Sequence, residues 1–318
     1  MRMKNMCHAE GANENNCTTD VSISVKEIIT AENLYCSRSW DKEYATRYVL
    51  DFKTTIVEAS YFKHYKGQRF VKSVLELPIS YGCIIGCRHC ASSQLHHKRF
   101  LCLEELLSLF QFVASKHVPK MTYGFRVSFA GIGEGALVPH LIEQALPRML
   151  SLYPNCFFTL TTSGCDPEYV PFTEILAKRF PIQYLQITYL QDDISLISKI
   201  IPTASSYQFN FKRLFNKIKR ATSLSIRINY VVIKDFNDDT ATALRLAEHI
   251  SSIKDRVIVR VSCMNETEPS RSYGLQPPSM ETLKSIYNIF TKKGITTYVF
   301  AAHHDDKLNC GQLAGKYQ

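Results

Sequence analysis

Beyond Pro78, short apolar runs alternate along the chain with longer stretches of helical periodicity. The short runs are rich in Val, Ile, Phe and Thr and are typical of strands, while apolar residues at helical spacing indicate helices. The predicted strands cover residues 78–83, 126–130, 157–162, 183–188, 225–233 and 257–262. The predicted helices cover residues 103–116, 137–151, 168–179, 208–221, 238–252 and 279–293. Six strand–helix units in succession predict an α/β fold, a partial (β/α)6 TIM-type barrel with a parallel sheet.

The first 77 residues follow a different pattern. Residues 1–20 are polar and predict a mobile tail. Residues 49–62 and 70–77 are rich in aromatic and β-branched residues, so residues 21–77 are predicted to form a small N-terminal β-rich extension with short strands. The chain is thus divided into a tail (1–20), an extension (21–77), a barrel (78–300) and a C-terminal active-site segment (301–318).

Composition and charge limit the class of protein. With 318 residues, 45% of them hydrophobic and 21% charged, the chain resembles an ordinary globular enzyme. No apolar run reaches the ~20 residues of a membrane helix, and no apolar stretch follows the basic N-terminus as in a signal peptide. These features predict a cytoplasmic protein that does not enter the membrane. The net charge of +9 is a weak indication of an anionic partner.

Three closely spaced cysteines carry the strongest chemical signal. Cys83, Cys87 and Cys90 are separated by three and two residues, in the loop after the first predicted core strand. Thiolates are the usual ligands of iron–sulfur clusters. Three of them can bind three irons of a [4Fe-4S] cluster and leave the fourth iron open, whereas a structural zinc ion needs a fourth organised ligand. The spacing therefore favours an iron–sulfur cluster.

Glycine and polar residues follow the other predicted strands. Residues 131–134 (Gly-Ile-Gly-Glu) follow the second strand, and residues 161–164 (Thr-Thr-Ser-Gly) follow the third. Residues 188–190 end the fourth strand, and Asn265 comes after the sixth. A Cys-Gly-Gln-Leu-Ala-Gly sequence begins at Cys310. Because the carboxyl ends of parallel strands meet at one edge of a barrel, we expect these residues to face a common site.

In this order, the cysteine motif and the later segments resemble the radical S-adenosylmethionine (SAM) superfamily, and within it the RNA adenine methyltransferases of the RlmN/Cfr type. The resemblance implies a [4Fe-4S] cluster on Cys83, Cys87 and Cys90 and a SAM molecule on the open iron. It further implies an electron donor, such as a flavodoxin or ferredoxin, for reductive cleavage of SAM to an adenosyl radical. The family's SAM-contacting positions correspond here to Gly133, Glu134, Thr161, Thr188, Tyr189, Leu190 and Asn265.

The resemblance also implies a route for the methyl group. A first SAM molecule methylates Cys310, and the methyl carbon then passes to an sp2 carbon, which in the family is a ring carbon of adenine in RNA. Release of the product needs a proton acceptor and a second thiol. In the family that thiol lies seven residues before the first cluster cysteine, where this chain has Glu76. The segment is shortened relative to the family, so Glu76 is assigned to the place of the family's proton-accepting glutamate, which lies farther upstream of the cluster, with Glu58 as the alternative.

A second thiol must then come from elsewhere or be absent. Cys36 is the first candidate, ahead of Cys7 and Cys17. The SAM-site pattern also differs from the family at three positions: His89 replaces an aromatic residue, Gly135 a proline and Leu190 a histidine.

The N-terminal region weighs against RNA as the substrate. Residues 1–82 carry 11 Lys and Arg against 10 Asp and Glu. This nearly neutral region is poorly suited to bind the phosphate backbone of RNA. Arg213, Lys217 and Arg220 form a basic stripe on a predicted helix, which is either a phosphate-binding face or a solvated one. Two substrate classes stay open: adenine in RNA, and a small metabolite or peptide. The presence of Glu134 and Cys310 argues against a third class, a regulatory protein without catalytic turnover, because such a protein needs neither residue.

Overall fold

A computed structural model of the protein describes residues 22–34, 42–53, 56–117 and 124–300, together with residues 314 and 317. Ten strands in these ranges form one sheet, in which neighbouring strands follow the order of the chain. The strands are β1 (Ser24–Leu34), β2 (Lys42–Asp51), β3 (Ile56–Lys66), β4 (Arg69–Glu76), β5 (Arg126–Ser128), β6 (Phe157–Thr162), β7 (Ile182–Tyr189), β8 (Ile226–Val232), β9 (Val257–Cys263) and β10 (Thr296–Phe300).

Helices connect the later strands. They are α1 (Leu103–His117), α2 (Pro139–Leu152), α3 (Tyr169–Ala177), α4 (Ile194–Ile200), α5 (Phe211–Arg220), α6 (Thr240–Ile250), α7 (Glu268–Ser272) and α8 (Met280–Lys292). The six predicted helices correspond to α1, α2, α3, α5, α6 and α8, while the short helices α4 and α7 were not predicted. None of the helices in the described part of the chain has the length and apolar character that a bilayer crossing needs.

The N-terminal strands are longer than predicted and belong to the main sheet. Strands β1, β2, β3 and β4 pair antiparallel, each with the next. Strand β4 also pairs parallel with β5, with Val74 opposite Arg126. The β-rich region is therefore continuous with the parallel strands, and β4 joins the two parts.

The parallel part of the sheet contains seven strands, β4 to β10, rather than the six predicted. Its first strand is β4, and the predicted strand at 78–83 is instead a loop. Pro78 has no N–H to donate to a strand ladder, while the N–H groups of Leu77 and Ile79 bond to the carbonyls of Ser128 and Ile132, both at 2.9 Å. The seventh strand, β10, follows α8 and pairs with β9.

Alternation along the parallel strands gives the sheet two different faces. Leu75, Val127 and Leu185 are fully buried in the core with the helices. Their neighbours in sequence, Glu76, Arg126 and Gln186 among them, line a cavity on the other face. Residues of both β2 and β10 line this same cavity, so the sheet curves around it. The inner face of the curved sheet is therefore the candidate location of an active site.

Candidate active site

One cavity of about 430 Å³ lies inside the curved sheet and opens at the carboxyl ends of the parallel strands. Most of the predicted site residues that the structure describes line it: Glu76, Cys83, Cys87, Cys90, Gly133, Glu134, Thr161, Thr188, Leu190 and Asn265. These residues come from loops and strand ends far apart in sequence. The fold therefore brings them together, as expected for strand-end residues of a parallel sheet.

The cysteine loop is held in place by contacts on both sides. Toward α4, the N–H of Arg88 donates to the carbonyl of Ile200 at 2.8 Å, and the hydroxyl of Thr203 donates to the carbonyl of Ile85. Toward α7, the Thr267 hydroxyl donates to the carbonyl of His89 at 3.2 Å. The two short helices that sequence patterning missed thus position the loop that carries the thiols.

A buried polar network anchors the same loop to α1. The Tyr81 hydroxyl donates to Glu105 at 2.8 Å, and Arg99 donates to both oxygens of that carboxylate at 2.9 and 2.7 Å. The Arg99 guanidinium also stacks 4.2 Å from the centroid of the Tyr81 ring. Charge-assisted, bidentate bonds of this kind fix geometry well, so the loop has a defined position before any cofactor binds.

The environment of the three thiols suits a cluster of metal ions. Burial raises the pKa of Cys83 to about 12 and that of Cys87 well above its usual value, and the charges of neighbouring thiols act in the same direction. Thiolates at this site therefore need a compensating cation, which bound iron provides. Their chemistry fits an iron–sulfur cluster.

In the described part of the chain, no three His, Cys, Asp or Glu side chains converge closely enough to hold a single metal ion. The assignment of the three cysteines to an iron–sulfur cluster therefore rests on their chemistry and spacing.

Glu134 is buried at the wall of the cavity and not solvated as in an ordinary turn, with 4% of its surface exposed. It accepts hydrogen bonds from the N–H groups of Ala136 at 3.0 Å and of Ser163 at 2.7 Å. A carboxylate has about four acceptor sites, so it can accept from a ligand ammonium group as well. Glu134 thus both links the loops after β5 and β6 and offers a negative charge to the cavity.

The turn before Glu134 requires glycine. Gly133 has a φ of +115°, and a Cβ placed there would lie 2.4 Å from the Ser80 hydroxyl oxygen. The backbone therefore approaches the cysteine-bearing loop more closely than any other residue allows.

Ser163 is a site residue whose role the sequence did not specify. Its hydroxyl lies at the cavity wall and forms a side-chain hydrogen bond with the buried thiol of Cys165, while its N–H donates to Glu134 at 2.7 Å. The hydroxyl of Thr161 donates to the carbonyl of Phe129.

Some predicted residues lie elsewhere. Tyr189 is fully buried on the other face of β7, where its ring packs 5.0 Å from Phe211 and 5.5 Å from Tyr230, so its side chain does not reach the cavity. The alternation of a strand explains this, because Thr188 and Leu190 take the inward positions. Cys310, Cys36, Cys7 and Cys17 lie outside the described residues.

The two candidate proton acceptors have different surroundings. Glu58 is buried against Arg47 in an ion pair of 2.8 Å and does not line the cavity. Glu76 ends β4 and faces the cavity, and burial raises its pKa to about 7, although Arg47 and Arg260 oppose this shift. A group with a pKa near 7 can both accept and release a proton at neutral pH, so the surroundings favour Glu76 over Glu58.

Patterning missed a second set of cavity residues. They are the polar side chains on the inner face, namely Lys72, Arg126, Gln186, Arg227, Asn229 and Arg260. A signal was present, since Arg126 and Ser128 in β5 and Arg227 and Asn229 in β8 alternate with fully buried apolar residues. The sequence does not show that these side chains line one cavity, however, because their proximity depends on the curvature of the sheet.

Comparison with known proteins agrees with the site. No model of a protein family matches the chain. A dual-specificity RNA methyltransferase RlmN of Vesicomyosocius okutanii is 25% identical over 251 residues, covering 74% of this chain and 65% of that protein. A probable RlmN of Petrotoga mobilis is 24% identical, covering 84% of this chain and 74% of that protein. The chain thus spans slightly less than two thirds of the first of these relatives.

Solved structures show the same fold. A radical SAM methyltransferase from Sphaerobacter thermophilus has a TM-score of 0.70 at 18% identity, covering 91% of this chain and 80% of that one. Spore photoproduct lyase, solved with bound AdoMet and a dinucleoside spore photoproduct, has a TM-score of 0.51 at 10% identity, covering 71% and 75%. The chain is thus similar in sequence to RlmN-type RNA methyltransferases and shares its fold with a radical SAM methyltransferase.

Proposed function

We propose that the protein transfers a methyl group from SAM to an sp2 carbon of its substrate, inside a curved sheet of the partial-barrel type with seven parallel strands. The observation that carries this proposal is the convergence of Cys83, Cys87, Cys90, Glu134 and Ser163 on one cavity. A chain without turnover would not need an acid, a glycine turn and three thiols on the same wall. The collinear similarity to RlmN proteins supports the same reaction class.

The cofactors are assigned to residues as follows. Cys83, Cys87 and Cys90 hold a [4Fe-4S] cluster, and the wall formed by Gly133, Glu134, Thr188, Leu190 and Asn265 holds SAM. When bound together, the cluster and SAM supply a carbon-centred adenosyl radical. Glu134 orients the positively charged amino group of SAM, and Leu190 excludes water from the cavity.

Cys310 is proposed to carry the methyl group. A sulfur nucleophile accepts a methyl group by ordinary displacement, which is the covalent step expected of the Cys-Gly-Gln-Leu-Ala-Gly segment. Glu76, which faces the cavity, is proposed to take the proton that leaves the substrate carbon when the product forms. Cys36 is proposed as the thiol that releases the product, and a flavodoxin or ferredoxin as the electron donor.

The substrate proposed from the relatives is adenine in RNA, since the similar proteins are RNA methyltransferases by name. One surface that could support RNA binding is partly neutralised: Arg213 and Lys217 of the basic stripe both pair with Glu168, at 2.5 and 2.9 Å. A second candidate, a small metabolite or peptide, is favoured by the charged inner wall of the cavity.

The test is anaerobic incubation of the reconstituted protein with methyl-labelled SAM, dithionite and either total RNA or a small-molecule extract. We expect the Cys310 peptide to gain roughly 14 Da, the mass of one methyl group replacing hydrogen, and label to appear in one substrate fraction. Cys310→Ala should abolish methyl transfer while SAM cleavage continues. Cys156→Ala, at a buried thiol outside the cavity, is the matched control. Full activity of Cys310→Ala would contradict the proposal.

A further inference from the structure

The floor of the cavity, at the amino-terminal half of the parallel strands, holds two arginines that share one aromatic ring. Arg126 begins β5 and Arg227 lies at the second position of β8. Their guanidinium carbons lie 5.3 and 4.5 Å from the centroid of the Tyr184 ring on the intervening strand β7. Both side chains line the cavity. Two cations are thus held close together by an inward-facing scaffold.

These arginines contact neutral groups. Arg126 donates from Nε to the side-chain oxygen of Gln183 at 2.9 Å. The Nε of Arg227 is buried and has no hydrogen-bond partner among the described residues. Burial, and to a smaller extent the nearby charge of Arg227, lower the pKa of Arg126 to about 10. A buried guanidinium donor without an acceptor is rare in folded proteins and points to a ligand that supplies one.

The surroundings of the pair are positive overall. Lys72 and Arg260 line the same cavity, and the acids that line it are Glu43, Glu76 and Glu134. Arg47, the remaining cation of the wall, is paired with Glu58. Burial and the neighbouring cations lower the pKa of Lys72 to about 7. An anion at this position would therefore be attracted by a cationic wall that the protein's own acids balance only in part.

The floor lies close to the reacting end of the cavity. Gln186 of β7 is opposite Arg227 in the parallel ladder, and Thr188, at the proposed SAM wall, is two residues further along β7. A strand rises about 3.3 Å per residue, so the two levels are about 7 Å apart. The cavity measures about 430 Å³ and also has to hold the proposed SAM, so the space at its floor suits a small anionic group.

We propose that Arg126 and Arg227 form a binding subsite for an anionic oxygen group, a carboxylate or a phosphate, of a small-molecule substrate. The planar guanidinium groups match either anion, and the anion accepts the unused hydrogen bond of Arg227. Anchored at the floor, such a molecule places its reactive carbon about 7 Å higher, beside the proposed SAM wall. The role of this subsite in catalysis rests on the proposed methyl transfer and on the second substrate candidate, a small molecule, but anion binding itself does not.

The test measures anion binding by isothermal titration calorimetry on the full-length protein, purified anaerobically with its iron. Inorganic phosphate and malonate are titrated separately, so that a phosphate site and a carboxylate site are distinguished. We expect one of them to bind in a 1:1 ratio, and Arg126→Gln and Arg227→Gln to weaken binding at least about tenfold. Arg227→Lys, which keeps the charge, should retain more affinity than Arg227→Gln and shows that the effect is not a loss of folding.

The control is Arg148→Gln, which removes one positive charge from the exposed surface of α2 and should leave affinity unchanged. The inference would be overturned if neither phosphate nor malonate bound to the protein. It would also be overturned if wild type and both glutamine variants bound the anion equally well. Methyl transfer to RNA without any competition by phosphate or malonate would overturn it as well. Anion binding in a protein that transfers no methyl group would instead refute the proposed function and leave the subsite intact.

Discussion

The pH dependence of protein stability tests whether the carboxyl group of Glu76 is buried in the cavity as described. The substitution Glu76→Gln keeps the shape of the side chain and removes its ability to ionise. Below about pH 4.5 the carboxyl group is protonated in both the folded and the unfolded protein. As the pH rises toward 7, the unfolded chain ionises this group while the folded protein keeps it protonated. The stability that Glu76 contributes is therefore full at low pH and is lost as the pH rises through this window.

The size of the effect follows from the two pKa values. Burial raises the pKa of Glu76 from 4.5 to about 7, and each tenfold change in an ionisation constant corresponds to about 1.4 kcal/mol. The maximum difference is about 3 kcal/mol, reached when the pH exceeds the folded value. His64 changes in the opposite sense, because burial lowers its pKa to about 3, but it is present in both proteins and drops out of their difference.

The assay is urea unfolding of wild type and Glu76→Gln at several pH values between 4.5 and 8, at fixed ionic strength. We expect the variant to gain stability relative to wild type by up to about 3 kcal/mol across this range. Glu248→Gln, which removes an exposed carboxylate on α6, is the matched control. A difference between wild type and Glu76→Gln that stayed constant with pH, or fell as the pH rose, would refute the assigned environment.

Four further predictions test the site. Replacing Cys83, Cys87 and Cys90 together by alanine should abolish iron binding, as measured by iron content and visible absorption; retained cluster absorption would exclude these ligands. Glu134→Ala should lower the free energy of unfolding by about 2–4 kcal/mol and weaken SAM binding, since it removes two hydrogen bonds to a buried carboxylate. Gly133→Ala should destabilise the protein by roughly 1–3 kcal/mol and clearly more than Gly274→Ala, whose added Cβ meets open space. Cys36→Ala should leave a covalent adduct between protein and substrate, visible by mass spectrometry, whereas normal turnover would eliminate Cys36.

The sequence alone was enough for most elements of the fold and for the candidate cysteine motif. Six helices were predictable because their apolar residues recur at helical spacing, and the parallel arrangement followed from the alternation of strands and helices. The cysteine spacing and the Gly-x-Gly-Glu turn are local features, since the ligands lie within one loop and the glycine is required by the backbone at its own position.

Only the tertiary structure decided what surrounds these motifs. Pro78 interrupts the ladder, so β4 is the first parallel strand, which pattern alone could not distinguish from the apolar run after it. Tyr189 and Thr188 are neighbours in sequence, yet the strand directs one into the helix-covered core and the other into the cavity. The charged floor depends on residues from β5 and β8, more than 100 positions apart, which meet because the sheet curves. Contacts of this kind arise from packing between distant elements, and no local pattern encodes them.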